Sequence, residues 1–330
     1  MPSRRFFLGS VATMPIAPLA FSRSAQAQPL QTEVLSLFDN LPGQKAIKIL
    51  APATDNGASV LVSHNAAQQM FVASAIKTFV LAEALIQDDT PNVVATLSTT
   101  QLALNASVWS YASPTFNPPN LTGMVSERTA IEAMMTHSDN TGTDMMLAHT
   151  EPDKVRRFIT QAGLRATAIP DSTRVFLGYL LGAPDYKTFT WERLLAEAGK
   201  PFVNPPLNPV ETLASSANDL VSYYFRALQG RFFKNPETLN EFRRILTLDE
   251  VIYVVPFPLG ASSYCKSGSI DIPGFHCLCV PGGMFFNNRW VYFAFIINWD
   301  AEAATDPATY TAFLSATSEA LTRVFNALSA

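Results

Sequence analysis

The chain has 330 residues, of which 48% are hydrophobic and 15% are charged, which is enough apolar material for one large core or two smaller ones. Its 23 basic and 27 acidic residues give a net charge of −4 without any basic block, so no nucleic-acid partner is expected. The four histidines form no zinc-type cluster, and no dinucleotide or phosphate-binding loop is present. Neither a metal nor a cofactor is therefore expected.

The N-terminal 27 residues have the pattern of an export signal. SRRFFL at residues 3–8 is typical of a twin-arginine motif, an apolar stretch follows, and AQA at 25–27 suits cleavage before Gln28. We therefore expect a signal peptide at 1–27 and a periplasmic mature protein. The longest later charge-free apolar run, 290–299, is too short to cross a bilayer as a helix, so no membrane span is expected after signal removal.

The first half of the chain predicts a short helix, a hairpin with a turn at 55–57, and then a mostly helical region. The predicted segments are the helix 32–40, the strands 46–51 and 59–63, and the helices 71–85, 129–135, 141–149 and 153–162. An aromatic, proline-rich stretch at 107–120 interrupts the helical spacing and is predicted to be irregular.

The second half begins with a loosely patterned segment, 170–209, in which prolines and glycines surround one helical piece at 191–198. Such a segment is typical of a long loop or lid. Regular patterns return as the helices 216–229 and 236–246, the strands 262–269, 275–280 and 289–298 with a turn at 287–288, and the helix 308–328.

Strands at both ends of the chain with helices between them predict an α+β fold. The antiparallel sheet would be built from both termini in an α/β lobe of residues 28–70 and 247–330, and residues 71–246 would form a helical lobe.

The chain has an odd number of cysteines, namely Cys265, Cys277 and Cys279, and proteins on the twin-arginine route fold in a reducing compartment. Free buried thiols are expected, with a bond from Cys265 to a neighbouring strand as the alternative.

Ser74 and Lys77 lie three residues apart in a segment with apolar residues at the spacing of a buried helix. On a helix these two side chains share a face, and a lysine amine among apolar neighbours has a lowered pKa and can accept a proton. A hydroxyl beside such an amine is an activated nucleophile. Ser263 and Lys266 repeat the spacing in strand-like sequence, where residues three apart point to opposite faces, so the spacing has meaning only on a helix.

Two further short motifs follow in the chain. Ser138-Asp139-Asn140 comes directly after a predicted helix, where it is either a functional loop or a simple turn. Lys266-Ser267-Gly268 falls in the middle of a predicted strand, where it is either functional or a guarded sheet edge.

In this order and spacing, the three motifs resemble those of the serine β-lactamase and penicillin-binding protein superfamily, most closely the class A β-lactamases. The resemblance extends to FVAS before the nucleophile, to Ser113-Pro114, and to the helical stretch from Asp139 to Leu164, and it covers most of the chain from about residue 32. It implies a β-lactamase-like fold.

The resemblance also implies a role for each matched residue. Ser74 would attack a carbonyl, Lys77 would either accept its proton or orient it, and Ser138 would relay a proton to the leaving nitrogen. Lys266 and Ser267 would attract a substrate carboxylate, and Asn140 would hold Lys77 and a substrate amide. The backbone N–H groups of Ser74 and Ser269 would form an oxyanion hole, and Gly268 would let the substrate lie along the strand.

The chain departs from the class A pattern at the loop that reads E-x-x-L-N in those enzymes and supplies the base for deacylation. Thr173-Arg174 resembles the start of that loop, but its continuation puts Tyr179 and Ala183 at the two positions. A second alignment makes Glu192 the base, with Ala196 in place of asparagine. The alternative is that Glu192 is a solvated residue on a lid helix.

Three other residues near the motifs have two possible roles each. His137 is expected to be a packed or supporting residue rather than a catalyst, and Trp109 and Tyr111 either line the substrate mouth or pack the irregular segment.

Three classes of function remain open: an exported hydrolase that opens a β-lactam through an acyl-Ser74 intermediate, a penicillin-binding-like enzyme, D-Ala peptidase or esterase with slow deacylation, and a sensor of β-lactams or peptidoglycan fragments without turnover. The partner would be a β-lactam or a cell-wall peptide, and a monomer is expected.

Overall fold

The computed structural model describes residues 27–55 and 57–329, with side chains from residue 29 onward. Of the predicted signal peptide, only the backbone of Ala27 is therefore described. Asn56 of the predicted turn also lies outside the described residues. The helices are α1 Ala27–Ser36, α2 Lys77–Gln87, α3 Val93–Thr99, α4 Glu127–Thr136, α5 Asn140–Thr150, α6 Pro152–Gln161, α7 Thr173–Leu180, α8 Trp191–Ala196, α9 Ala217–Leu228, α10 Pro236–Leu246, α11 Val251–Val254 and α12 Pro307–Ser329. The strands are β1 Gln44–Ala51, β2 Val60–His64, β3 Met70–Phe71, β4 Gln101–Leu104, β5 Gly123–Ser126, β6 Ala214–Ser215, β7 Ser262–Cys265, β8 Gly268–Ile272, β9 Phe275–Phe286 and β10 Arg289–Trp299.

The main sheet has the order β2-β1-β10-β9-β7, and β8 pairs with the same strand β9 as β7 does. All of these pairs are antiparallel, including β1 with β10 across the pair Gln44 and Asn298. Strands from both ends of the chain therefore meet at the centre of one sheet. The prediction of an α+β fold with an antiparallel sheet built from both termini is confirmed.

Both faces of the sheet are covered by helices, which explains why β9 and β10 read as nearly continuous apolar runs. On one face, Phe38 stacks on Phe295 of β10 with ring centroids 5.5 Å apart and meets the edge of Phe313 of α12. The other face packs against α9 and the helical segments, where Tyr223 is fully buried. The face covered by the helical segments is the one that carries the site described below.

Two predicted elements are wrong in a way that matters for the site. The predicted helix 71–85 begins as β3, continues as a 3₁₀ helix at Ala73–Ile76, and becomes α-helical only at Lys77. The predicted strand 262–269 is divided into β7 and β8, so Lys266 and Ser267 lie in a break and not within a strand.

The break has a physical cause in the partner strand. Cys265 pairs with Gly282 and Gly268 pairs with Cys279, so Pro281 of β9 lies opposite Lys266. Proline has no backbone N–H to donate to a neighbouring strand. The chain therefore leaves the ladder for two residues and resumes it at Gly268.

The other predicted elements differ from the observed ones mainly in extent, and a few observed elements were not predicted. β9 is longer than predicted and ends at Phe286, while α3, α7 and the β4–β5 hairpin were absent from the prediction. Cys265, Cys277 and Cys279 are free and buried, as expected. Between residues 27 and 329, none of the helices has the length and apolar character that crossing a membrane requires.

Candidate active site

Ser74 lies in the 3₁₀ helix that connects β3 to α2. Side chains three residues apart eclipse one another in a 3₁₀ helix, so Ser74 and Lys77 lie on one side of this turn. Ala73 takes a positive φ of 47°, which turns the chain sharply before Ser74. The Ser74 side chain is half-buried and lines a cleft between the helices and strand β8.

The Lys77 amine is completely buried beside the Ser138-Asp139-Asn140 loop. Its Nζ donates to the backbone oxygen of Ser138 at 2.5 Å and to Oδ1 of Asn140 at 2.8 Å, and it lies 3.3 Å from Oγ of Ser138. A neutral amine has two N–H groups and one lone pair. Because the two closer oxygens take both N–H groups, the lone pair remains for a hydroxyl.

Burial lowers the pKa of the Lys77 amine well below its ordinary value, and the positive charge of Lys266 lowers this pKa further. The carboxylates of Asp139, Asp144 and Asp249 oppose this change to a smaller extent. The environment thus favours the neutral amine, the form that can accept a proton from a serine hydroxyl.

The Ser138 loop is held rigidly by its central residue. Asp139 is fully buried and caps α5 by accepting from the N–H of Gly142 at 2.8 Å. Its other oxygen accepts from the N–H groups of Thr115 and Phe116 at 2.9 and 3.0 Å. These contacts hold Ser138 at a positive φ of 56°, so that its backbone oxygen and hydroxyl both face Lys77.

Gly268 lets strand β8 approach the Ser74 turn closely. A Cβ atom at this position would lie 2.8 Å from the nitrogen of Ser74 and 2.6 Å from that of Ala75, and closer still to the backbone oxygen of Val72. Only glycine fits against backbone atoms at these distances. The strand therefore runs directly beside the Ser74 turn, and the next residue, Ser269, lines the same cleft as Ser74.

Lys266 does not present a free charge to the cleft, in contrast to the prediction. Its Nζ lies 2.5 Å from Oδ2 of Asp249, and both side chains are at most 1% exposed. Ser267 also turns toward Asp249, donating its N–H at 3.2 Å and its hydroxyl at 2.8 Å. The break in the strand opposite Pro281 makes this possible, because Lys266 and Ser267 are not engaged by the sheet ladder.

The cleft has a volume of about 570 Å³ and brings together Ser74, Ser138, Asn140 and the run Ser267–Ser269. Lys77 and Lys266 lie behind its surface. Its remaining walls are mostly apolar side chains and also include Thr173, Glu250 and Asp271. A second, apolar cavity of about 460 Å³ adjoins it and shares the lining residues Tyr111, Leu177, Phe202 and Ile272.

The lid segment contributes no carboxylate to the cleft among the described residues. Its lining side chains there are Thr173, Phe176, Leu177 and Phe202. Glu192 lies in the first turn of α8, is exposed to solvent and does not line the cleft. This placement favours the interpretation of Glu192 as a solvated lid residue over its interpretation as a base.

The Thr173-Arg174 pair anchors the lid to the rest of the site. The N–H groups of both residues bond to the buried carboxylate of Asp144, at 2.6 and 3.1 Å, which caps the start of α7. The Arg174 guanidinium donates to the backbone oxygens of Ala106, Ser107 and Trp109. Burial raises the pKa of Asp144 to about 6.

Two of the three residues with alternative interpretations lie at the cleft. Tyr111 and His137 line the cleft, whereas Trp109 packs edge-on against Trp191 and does not reach the cleft surface. The backbone oxygen of Tyr111 accepts from Nδ2 of Asn140 at 2.9 Å, so the irregular segment orients that amide toward Lys77. Trp109 therefore packs the irregular segment, whereas Tyr111 lines the mouth of the cleft.

Two buried polar residues that the motifs do not include complete the site. Asp249, between α10 and α11, binds Lys266 and Ser267, and Asn298 of β10 binds the backbone of Phe71 just before the nucleophile turn. The described part of the chain has no group of three or more His, Cys, Asp or Glu side chains arranged to hold a metal ion.

Solved structures of the same fold include both penicillin-binding and β-lactamase proteins. PBP-A is 18% identical, with a TM-score of 0.67 over 91% of this chain and 97% of that chain. A PBP-A variant, solved as an acyl-enzyme complex with penicillin G, is 17% identical with a TM-score of 0.66, covering 91% of this chain and 97% of its own. A class A β-lactamase from Bacteroides cellulosilyticus DSM 14838 is 16% identical with a TM-score of 0.68, covering 92% of this chain and all of its own. At these identities the likeness concerns the fold.

A search of the curated proteins found no match. The sequence profile described as "Beta-lactamase enzyme family" matches residues 29–279, which is most of the chain and includes all three motifs. The chain belongs to the β-lactamase enzyme family.

Proposed function

We propose that the protein is a serine hydrolase that opens the β-lactam ring through an acyl-Ser74 intermediate. The observation that carries this proposal is the Lys77 amine, buried and held 2.5 and 2.8 Å from the Ser138 and Asn140 oxygens, one turn after a cleft-lining serine. A buried lysine whose pKa is lowered beside the Ser138 hydroxyl, three residues after a cleft-lining serine, is the arrangement that proton transfer from a serine nucleophile requires.

In the proposed acylation, the Ser74 oxygen forms a bond to the ring carbonyl carbon while its proton passes to the neutral Lys77 amine. The backbone N–H groups of Ser74 and Ser269 stabilise the negative charge that develops on the carbonyl oxygen. The ring C–N bond then breaks, and the nitrogen takes a proton from the Ser138 hydroxyl, which is replenished by the Lys77 ammonium. The Ser138 hydroxyl is 3.3 Å from Lys77, within reach of such a relay.

Deacylation is the step for which the cleft is less well equipped. The wall formed by the lid consists of Thr173, Phe176, Leu177 and Phe202, and Glu192 is directed to solvent. A water attacking the acyl-enzyme from that side would meet no carboxylate base among the described residues. This observation favours a second candidate function, a penicillin-binding-like enzyme whose acyl-enzyme is long-lived.

Intact mass spectrometry over time tests both candidates. The purified protein without residues 1–27 is mixed with benzylpenicillin, and the mass of the adduct and the release of ring-opened product are followed together. We expect an adduct that forms faster than it decays. Full turnover without a detectable adduct would reject slow deacylation, and the absence of both adduct and product would reject β-lactam opening.

Substitution of Glu192 by Gln serves as the matched variant. Because this side chain is exposed and outside the cleft, we expect the decay rate of the adduct to remain unchanged. A decay rate lowered by a factor of about 100 or more, the usual contribution of a general base, would instead identify Glu192 as the base.

We also propose that the protein acts in the periplasm. This rests on the sequence at residues 1–27 alone, with its paired Arg4 and Arg5. Cell fractionation tests it: the native chain is expected in the periplasmic fraction, and a variant with Arg4→Lys and Arg5→Lys is expected to remain in the cytoplasm.

A further inference from the structure

The lid segment encloses an apolar cavity that the acylation chemistry does not use. The cavity has a volume of about 460 Å³, and its walls include Leu181, which follows α7, Leu194 of α8, and Phe202. Leu181 and Phe202 are only partly buried by the rest of the protein, so they leave apolar surface turned to this space. A concave apolar surface beside a reactive cleft is typical of a ligand pocket.

The lid around the cavity is packed and tied to the rest of the chain. Phe189, Trp191 and Leu194 form a small buried cluster within the lid. The N–H of Val203 donates to the backbone oxygen of Leu180 at 2.7 Å, which fastens the end of this loop to α7. The walls therefore hold their positions without a ligand, and binding does not have to order them first.

The cavity offers no unpaired charge to a ligand. Among its described lining residues, those with a formal charge are Glu197 and Lys200, and Nζ of Lys200 lies 2.6 Å from Oε2 of Glu197. An ionic group in the cavity would lose its hydration without gaining a free partner, whereas the burial of an apolar group is favourable. The chemistry of the walls therefore selects an uncharged, apolar occupant.

The cavity continues the cleft that contains Ser74. The two spaces share the wall residues Tyr111, Leu177, Phe202 and Ile272. Strand β8 connects them, since it runs from Gly268, against the Ser74 turn, to Ile272 at the cavity. A strand rises about 3.3 Å per residue, so these four steps span about 13 Å. An extended chain gains about 1.2 Å per bond, so a group attached to Ser74 needs roughly eleven bonds to enter the cavity.

We propose that the cavity binds the apolar tail of the acyl group, and that the substrates are acyl donors whose side chain ends in a long unbranched alkyl chain. This inference rests on the proposed function, because it names the substrate class of that reaction. The carbonyl would react at Ser74 while the tail follows β8 and ends between Leu181, Leu194 and Phe202. A short side chain would end within the cleft and leave the cavity to water.

The direct test uses penicillins that differ only in the length of the 6-acylamino chain, namely the acetyl, hexanoyl, octanoyl, decanoyl and dodecanoyl compounds. The amide separates the tail from the ring, so the intrinsic reactivity of the ring stays the same across the series. The second-order rate constant for adduct formation on Ser74 is measured by intact mass, below the concentration at which the longer compounds form micelles. We expect an increase of about tenfold or more between hexanoyl and decanoyl, because each buried methylene contributes up to about fourfold.

Two matched variants connect the preference to the cavity. Leu181→Asn places an amide in the cavity wall and is expected to lower the ratio of the decanoyl rate to the acetyl rate by about threefold or more. Leu195→Asn makes the same change at an exposed leucine of α8 that lines neither space, and it should leave this ratio unchanged.

The inference and the proposed function fail on different results. If the native protein forms adducts at a rate that does not depend on chain length, or that falls with it, the inference is overturned and the ring opening stands. A ratio that falls equally in both variants would also overturn it, because the tail would then bind outside the cavity. If Leu181→Asn does not fold, the native series decides alone. If no compound acylates Ser74, the proposed function itself is rejected.

Discussion

The side-chain amide of Asn298 binds both backbone polar groups of Phe71. Its Oδ1 accepts from the Phe71 N–H at 3.0 Å, and its Nδ2 donates to the Phe71 oxygen at 2.9 Å. Phe71 lies three residues before Ser74, and Asn298 lies near the end of the central strand β10. The sheet therefore fixes the position of the nucleophile turn through one buried amide.

Asn298→Leu is expected to lower both stability and reactivity. The substitution leaves the buried N–H of Phe71 without its partner and the Phe71 oxygen with only the Cys277 thiol, 3.1 Å away, which costs about 1–3 kcal/mol in the free energy of unfolding. It also loosens the turn, so the acylation rate of Ser74 should fall. Asn298→Asp keeps the acceptor and should give intermediate values in urea unfolding and in acylation. An acylation rate equal to that of the native protein in the leucine variant would show that the turn is positioned by other contacts.

The pH profile of acylation should depend on Lys266. Acylation requires the neutral Lys77 amine, so its rate declines as the pH falls through the pKa of Lys77. Because the charge of Lys266 helps to lower that pKa, Lys266→Gln should move the acidic limb of the profile to higher pH. The measurement is the rate of adduct formation with an uncharged acyl donor from pH 5 to 9. Lys234→Gln, at an exposed lysine outside the cleft, is the control, and a limb in the same position in both variants would contradict the account.

Gly268→Ala should abolish acylation while the protein stays folded. The added Cβ would lie against the nitrogens of Ser74 and Ala75, and backbone atoms cannot move aside without displacing the nucleophile. Gly283→Ala in the same sheet is the matched control, because its Cβ would meet mainly a terminal methyl group of Leu228, which can rotate away. Circular dichroism and adduct formation measure the two effects, and normal acylation in the Gly268 variant would refute the close approach of β8.

The contributions of Asp88 and His149 to stability are expected to decrease as the pH rises from about 4.5 through 7. Burial raises the pKa of Asp88 from 3.8 to about 6, so the folded state favours its protonated form, and this contribution is lost as the pH rises through 6. A hydrogen bond with Glu127 raises the pKa of His149 above 6.5, so its contribution is present below that pH and is lost above it. Thermal unfolding of the native protein and of Asp88→Asn at several pH values isolates the contribution of Asp88, and the variant should gain stability relative to the native protein as the pH rises. A difference in melting temperature that stays constant over this range would contradict the assignment.

The sequence predicted the parts of the site that form short motifs, and the structure brings Ser74, Ser138, Asn140 and the Ser267–Ser269 run to one cleft. It did not predict Asp249, because a single aspartate in a connector has no pattern that relates it to a lysine 17 residues later. Asn298 did leave a signal, since it interrupts the apolar run 290–299, but one amide does not reveal its partner. The strand break at Lys266 depends on Pro281 in the neighbouring strand, which local periodicity does not register.

The identity of the acylated serine tests the central claim most directly. The chain contains its own control, because Ser263 and Lys266 repeat the spacing of Ser74 and Lys77, yet Ser263 is a buried residue of β7. The native protein, Ser74→Ala and Ser263→Ala are each treated with benzylpenicillin, and the adduct is located by peptide mass mapping. We predict an adduct on the Ser74 peptide in the native protein and in Ser263→Ala, and none in Ser74→Ala. An adduct that persists in Ser74→Ala would contradict the account.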